Sequence, residues 1–156
     1  MAGYVTKLMG HVYDGENLSA EALTNGVFAE ISTDGVKKVT AAKDTKLRVD
    51  EKTELWGQPA VVLNVTGVGS DDVYFVENEW DIDENAEWNE ANYTLPTGKY
   101  VRMKRLLPGE QVIMAVDSTL YAALAVGDAV QPAAGGTIAK VTTTTGGSDC
   151  RRRKTV

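Results

Sequence analysis

The densest collection of reactive side chains is acidic. Asp71, Asp72, Glu77, Glu79, Asp81, Asp83, Glu84, Glu87 and Glu90 fall within a stretch, Thr53 to Gly98, that holds no lysine or arginine. Two carboxylates flanking a glycosidic bond can hydrolyse it, one as acid and the other as base or nucleophile. Such acids ordinarily stand at strand ends inside a cleft, whereas these crowd one connection, which points to a solvated acidic face. Within it Asp81-x-Asp83-x-Asn85 matches the first three ligand positions of an EF-hand calcium loop. Ala86 then stands where the sharp turn needs glycine, and Asn92 where a bidentate Glu belongs. A casual cation site near Asp81 and Asp83 is the most this pattern offers, and no cofactor is expected.

Nucleophilic chemistry fares no better. It needs a base within hydrogen-bond reach of the nucleophile, and the single histidine, His11, lies near the N-terminus between Gly10 and Val12. No G-x-S-x-G elbow, P-loop or dinucleotide fingerprint occurs; Gly135-Gly136 and Gly146-Gly147 lack the spacing and the following helix. An enzyme is therefore not expected. A net charge of −6 argues against general nucleic-acid binding, which needs a clustered basic surface. One cysteine, Cys150, allows no intrachain disulfide and fits synthesis in a reducing compartment. No run of about 18 apolar residues is present, and Met1 to Gly10 lacks a signal-peptide core, so neither membrane spanning nor secretion is expected.

What remains is contact chemistry. Trp80 and Trp88 interleave with the acids, with Trp56 and Tyr93 nearby in sequence; aromatic side chains in a polar connection suit an interface or a sugar platform. Lys99, Arg102, Lys104 and Arg105 follow the acidic stretch at once, and Arg151, Arg152, Arg153 and Lys154 close the chain. These bases suit the acidic loop of a neighbouring copy, where complementary charge fixes register. The candidate interface set is thus Trp80, Trp88, Tyr93, Arg102, Arg105, Arg151, Arg152 and Arg153.

The elements that would position these residues read as strands. At 156 residues one domain is expected, with an N-terminal arm (1–26), a β domain (27–141) carrying the acidic loop (77–95), and a flexible C-terminal tail (142–156) too low in apolar content to fold alone. Asn17 to Leu23 offers one helical turn behind Ser19 as N-cap. Val27–Ile31 and Val36–Val39 flank the turn signal Thr33-Asp34-Gly35 and predict a hairpin. Leu47–Val49 and Thr53–Trp56 are short alternating pieces, and Pro59–Val65 suits a buried strand. Val73–Val76, Tyr100–Leu106, Gln111–Val116 and Thr137–Val141 read as further strands. Leu120–Val126 has room for little more than a helical turn. The fold class is mainly β, a small barrel or a sandwich, both of which use short strands and Gly/Pro turns.

The stretch from Leu107-Pro108-Gly109-Glu110 through Val126-Gly127-Asp128-Ala129-Val130-Gln131-Pro132 to Gly135-Gly136-Thr137-Ile138-Ala139-Lys140 resembles head decoration (capsid cement) proteins of tailed bacteriophages. Gly26–Ile31 resembles the strand that opens those proteins. The resemblance covers about half the chain and its motifs are turn signals between strands. It implies a virion structural protein that binds the outside of an expanded phage capsid and bridges major capsid protein subunits. It also implies a homo-oligomer, a trimer foremost, made in the host cytoplasm and located on the virion surface. No catalytic residue carries over. The acidic insert and the arginine tail lie outside the pattern. A carbohydrate-binding β module and a tail-tube or head-completion protein are the rival expectations.

Overall fold

The computed structural model describes residues 3–7, 13–78 and 94–141. Most of the acidic connection and the whole segment after Val141 lie outside these residues, as do His11 and Cys150. The elements in chain order are β1 (Gly3–Lys7), β2 (Tyr13–Asp14), β3 (Leu23–Thr24), β4 (Phe28–Ser32), β5 (Gly35–Lys38), β6 (Lys46–Leu55), β7 (Gln58–Gly67), β8 (Tyr74–Val76), β9 (Thr94–Leu95), β10 (Met103–Arg105), β11 (Gln111–Ala115), α1 (Ser118–Ala123), β12 (Ala129–Ala133) and β13 (Thr137–Lys140). The chain is mainly β, and its strands form antiparallel sheets: six strands in the order β1-β11-β7-β6-β12-β13, five in the order β2-β10-β8-β4-β5, and the pair β3-β9. The sheets do not close into a barrel, which removes that alternative.

Alternation of side chains along the strands decides which faces are apolar. Val61, Leu63 and Val65 of β7, Val112 and Met114 of β11, and Leu47 and Val49 of β6 join Phe28 of β4 and Phe75 of β8 in one buried cluster, so both large sheets contribute to the same core. Phe28 and Phe75 are cross-strand partners whose rings meet edge to face, 5.3 Å between centroids, a geometry the aromatic quadrupole favours. On the opposite face of the five-stranded sheet, Ala29, Val36, Val76 and Met103 form a second cluster under Leu23 and Leu95. Those two leucines are partners in the β3-β9 pair, which therefore acts as a cover. The outer face of the six-stranded sheet carries a smaller cluster of Leu55, Ala60, Ile113 and Ala115.

Several local expectations hold and others are corrected. The hairpin at Thr33-Asp34 forms as β4-β5. Leu47–Val49 and Thr53–Trp56 are not separate pieces: all but Trp56, which turns out of the strand, belong to the ten-residue β6, whose register slips between Val49 and Glu51. That bulge reverses the alternation, so a period-two reading stops at Asp50. Tyr100–Leu106 shortens to Met103–Arg105. β12 was not anticipated because Pro132 argues against a central strand; it stands opposite Ile138 in the last hairpin of the sheet. The helical turn at Asn17–Leu23 does not form: Leu18 and Ser19 are extended and bridge Tyr100 and Val36. α1 starts at Ser118, where Asp117 caps it by accepting from the Leu120 N–H at 2.7 Å. The described part of the expected N-terminal arm is built into the sheets, since β1 pairs with β11, β2 with β10 and β3 with β9.

Between β10 of one sheet and β11 of the other, the chain turns at Leu106–Glu110, with Leu107 and Pro108 exposed and Leu106 and Glu110 buried. Lys104 and Glu110 are both fully buried there and paired, Lys104 Nζ lying 2.7 Å from Glu110 Oε2 and 2.8 Å from Oε1. Glu110 Oε1 also accepts the Leu107 N–H at 2.6 Å, and Lys104 Nζ donates to the Arg105 carbonyl at 3.3 Å. β7 clamps the same turn, as Val65 accepts from the Gly109 N–H and donates to the Glu110 carbonyl, each at 2.8 Å. Removing one member of such a pair strands a buried charge. Glu110→Ala is expected to lower unfolding free energy by about 3–5 kcal/mol in urea titration. The apolar double variant Lys104→Met with Glu110→Leu recovers most of that loss. A Glu110→Ala protein within about 1 kcal/mol of the parent would show that the ammonium is solvated instead.

Candidate functional site

The basic strand β10 is the only part of the anticipated interface set, with its flank at Arg102, that falls among the described residues. Trp80, Trp88, Tyr93, Arg151, Arg152 and Arg153 lie outside them, as do Asp81 and Asp83. The sequence suggested a strand with apolar residues on one face and bases on a wet one. Val101 and Met103 are buried as expected, but Lys104 is buried too, turned to the inner face beside Phe75, its cross-strand partner. Of the three bases between Val101 and Leu106, Arg102 and Arg105 reach solvent. Both meet acids of this same chain: Arg102 Nη1 lies 3.2 Å from Glu77 Oε1 and 3.0 Å from the Glu77 carbonyl, and Arg105 Nη1 lies 2.8 Å from Asp72 Oδ1. Exposed pairs of this kind contribute about 0–1 kcal/mol each, so they orient these side chains more than they hold the fold.

The two ends of the acidic connection are fixed firmly. Glu77 donates its N–H to the Arg102 carbonyl at 3.0 Å, and its Oε2 accepts from the Val5 N–H at 2.8 Å. Asn78 exchanges bonds with Asn25: its N–H donates to Asn25 Oδ1 at 2.6 Å and its carbonyl accepts from Asn25 Nδ2 at 3.2 Å. Asn78 Oδ1 accepts from the Arg102 N–H at 3.0 Å, while its Nδ2 is buried without a partner among the described residues. At the far end Leu95 is held under β3. The described ends of the acidic connection thus belong to different sheets, the near end following β8 and the far end lying in the β3-β9 pair.

A second acidic site joins two loops. Asp44 Oδ2 accepts the Ser70 N–H at 2.8 Å, its Oδ1 accepts the Asp71 N–H at 3.0 Å, and Asp71 Oδ2 accepts the Asp44 N–H at 3.0 Å. Beside it Lys43 pairs with Glu30 at 2.9 Å, and the hydrogen bond to Glu30 raises the Lys43 pKa. Gly69 is required here, because a Cβ on it would collide with the Asp44 carboxylate. Burial alone would raise the Asp44 pKa, but the backbone donors of Asp71 and Ser70 together outweigh it and hold the group below its ordinary value. Among the described residues no group of three or more His, Cys, Asp or Glu has the geometry to hold a metal ion.

Of the aromatics the sequence named for contact, Trp56 is the one described, and the structure pairs it with Tyr4, which sequence reasoning did not single out. Trp56 and Gly57 form the two-residue loop between β6 and β7, both with positive φ, 49° and 80°, the backbone of a type I′ hairpin turn. A bulky residue is uncommon in that region and is held there at a cost in strain. The Trp56 indole is 45% exposed and meets the 38% exposed Tyr4 ring at 6.0 Å between centroids. Beneath them the fully buried Ala60 and Ala115 are cross-strand partners. Tyr4, Ile113, Val62 and Glu51 form the next row across β1, β11, β7 and β6. Only a Trp-Gly dipeptide between two alternating runs signalled this in the sequence.

Comparison with family models, with curated proteins and with solved structures finds no match to this chain. Fold and sites together define a mainly β protein whose two large antiparallel sheets share a core, and whose described polar groups are engaged in joining loops to sheets.

The depressed Asp44 pKa has a consequence in acid. A carboxylate lowered on folding adds stability above its unfolded value, 3.8, and that stability is lost as pH falls through the folded value. The urea midpoint is therefore expected to drop as pH is lowered below about 4, and to drop less steeply in Asp44→Asn. Equal slopes in the two proteins would show that Asp44 does not contribute.

Proposed function

We propose that the protein is a non-enzymatic β-sandwich module of a virion, a decoration subunit that binds the outside of an expanded phage capsid and bridges major capsid protein subunits. The observation that carries this reading is the contact between the two stretches in which the resemblance lies. Gly26–Ile31 and Leu107–Lys140 are far apart in sequence, yet the Phe28 N–H donates to the Gly136 carbonyl at 2.8 Å. Gly136 itself lies against Val27 and Phe28, and a Cβ there would come within 3.0 Å of both.

The turn signals of the resembling phrase stand at the two ends of β12. Gly127, Gly135 and Gly136 all have positive φ, which glycine adopts without the Cβ penalty. Asp128 Oδ2 accepts from the Ala125 N–H at 2.9 Å and pairs with Lys140 at 3.3 Å. That backbone bond, opposed by burial and aided by Lys140, keeps its pKa low. A subunit of this kind acts through binding energy alone: whatever binds only the assembled lattice stabilises it by mass action. Exposed aromatic and apolar side chains such as Tyr100, at 67% exposure, supply contact area. Trimerisation belongs to the same proposal.

Co-sedimentation of the purified protein with expanded and unexpanded phage heads lacking it tests the reading. Saturable binding at a fixed ratio to the expanded lattice, with none to the unexpanded one, is the expected result. Absence of binding to both would overturn it.

A further inference from the structure

Asn25-Gly26 is the chain's one Asn-Gly pair. An asparagine cyclises most readily in that dipeptide, because glycine adds no Cβ to crowd the attacking nitrogen. In the reaction the Gly26 backbone nitrogen gives up its proton and bonds to Asn25 Cγ. The bond from Cγ to Nδ2 breaks, and Nδ2 leaves as ammonia. Water then opens the cyclic imide at either of its carbonyls. Cleavage on the Cγ side leaves an aspartate at position 25. Cleavage on the main-chain side leaves an isoaspartate, in which the former side chain carries the backbone forward. The sequence is neutral in electrons and needs only water.

The fold holds every reacting group in another contact. The Gly26 N–H donates to the Val76 carbonyl at 2.9 Å. Asn25 Oδ1 accepts the Asn78 N–H at 2.6 Å, and its Nδ2 donates to the Asn78 carbonyl at 3.2 Å. Asn78 is tied in turn to the flank of β10 by the Arg102 N–H on its Oδ1 at 3.0 Å. Asn25 is only 7% exposed, which keeps out the water and base that the reaction requires. Glycine is demanded at position 26 by a φ of 82°, and asparagine at 25 by the two-way clip to Asn78. The reactive dipeptide is thus a consequence of the joint it forms.

We propose that Asn25 is a guarded deamidation site: local opening of the Asn25–Asn78 clip exposes it, and reaction makes the opening permanent. A carboxylate at position 25 has no N–H for the Asn78 carbonyl and leaves a buried charge facing that oxygen, an arrangement the folded chain does not hold. An isoaspartate lengthens the main chain just before Gly26 and moves its N–H away from Val76. Either product releases Glu77 and Asn78, where the acidic connection leaves β8. The inference does not depend on the capsid reading.

Ageing of the full-length protein at mildly alkaline pH, in native buffer and in concentrated urea, is followed by peptide mass. The Asn25 peptide is expected to deamidate at least about 10-fold more slowly in native buffer, because only the opened fraction reacts. Asn78→Ala, which loses the bond to the Arg102 N–H, is expected to raise the native rate about 3-fold or more and to leave the urea rate unchanged. Equal rates in buffer and urea overturn the guard, and a native rate unchanged in Asn78→Ala overturns the clip as its cause. Asn25→Asp, and the aged parent separated by ion exchange, are expected to exchange the Asn78 amide hydrogen about 10-fold or more faster than the fresh parent, while the Val112 amide in the core sheet keeps its protection. Unchanged Asn78 exchange in the aged chain overturns the release. The buffer and urea comparison and the aged parent need no substitution, so neither depends on a variant that folds.

Discussion

The Lys104–Glu110 pair is the constraint on which the two large sheets depend. Lys104 belongs to the five-stranded sheet and Glu110 immediately precedes a strand of the six-stranded one, and both are withdrawn from water. A buried ammonium and carboxylate tolerate little separation, because each alone would cost several kcal/mol of lost hydration. Their contact therefore fixes the Leu106–Gly109 turn, and the Leu107 N–H on the same carboxylate fixes its conformation. Val65 then receives the turn through backbone bonds on both sides. An apolar core draws sheets together without direction; this pair supplies a specific register.

Around that joint the layers differ in how completely they are covered. The five-stranded sheet has apolar side chains on both faces, Phe28 and Phe75 inward and Ala29, Val76 and Met103 outward, and the small β3-β9 pair closes the outward face. The six-stranded sheet faces the same core but has only a thin second cluster outside it, of Leu55, Ala60, Ile113 and Ala115. Small residues in that row let Tyr4 and Trp56 lie close to the sheet while leaving much of each ring in water. This asymmetry makes the outer face of the six-stranded sheet the place where further contact area is available. Of the acidic connection, Glu77 and Asn78 follow β8 of the other sheet and Leu95 lies in the β3-β9 pair that covers it. The proposed role, binding without chemistry, is compatible with surfaces of both kinds on one small domain.

Charge follows a similar division. Arg102 and Arg105 stand where the sequence put bases after acids, but Glu77 and Asp72 of the same chain meet them. Complementary runs adjacent in sequence satisfy each other first when the strands bearing them are neighbours, as β8 and β10 are. Asp44 and Asp71 show a different use of acidity, accepting backbone N–H groups across two loops and so replacing sheet hydrogen bonds where no strand is available.

The sequence by itself determined the β class, the β4-β5 hairpin and the strands at Pro59–Val65 and Gln111–Val116, because alternation and turn residues are local properties that act over a few residues. It also set bases after acids along the chain, but assigned them to the acidic loop of a neighbouring copy, whereas Arg102 and Arg105 meet Glu77 and Asp72 of the same chain. Only the tertiary structure decided which faces those strands bury. The bulge after Val49 inverted the alternation of β6, a partner strand carried Leu18 and Ser19 out of helix, and Ile138 drew Pro132 into a sheet. Lys104, a base on a strand expected to be wet, is fully buried among the described residues because the carboxylate of Glu110, six residues on and equally buried, pairs with it. The pairing of Tyr4 with Trp56 required β1 to find β11. Such contacts join residues distant in sequence, and their energies come from the burial and pairing that only the assembled sheets provide.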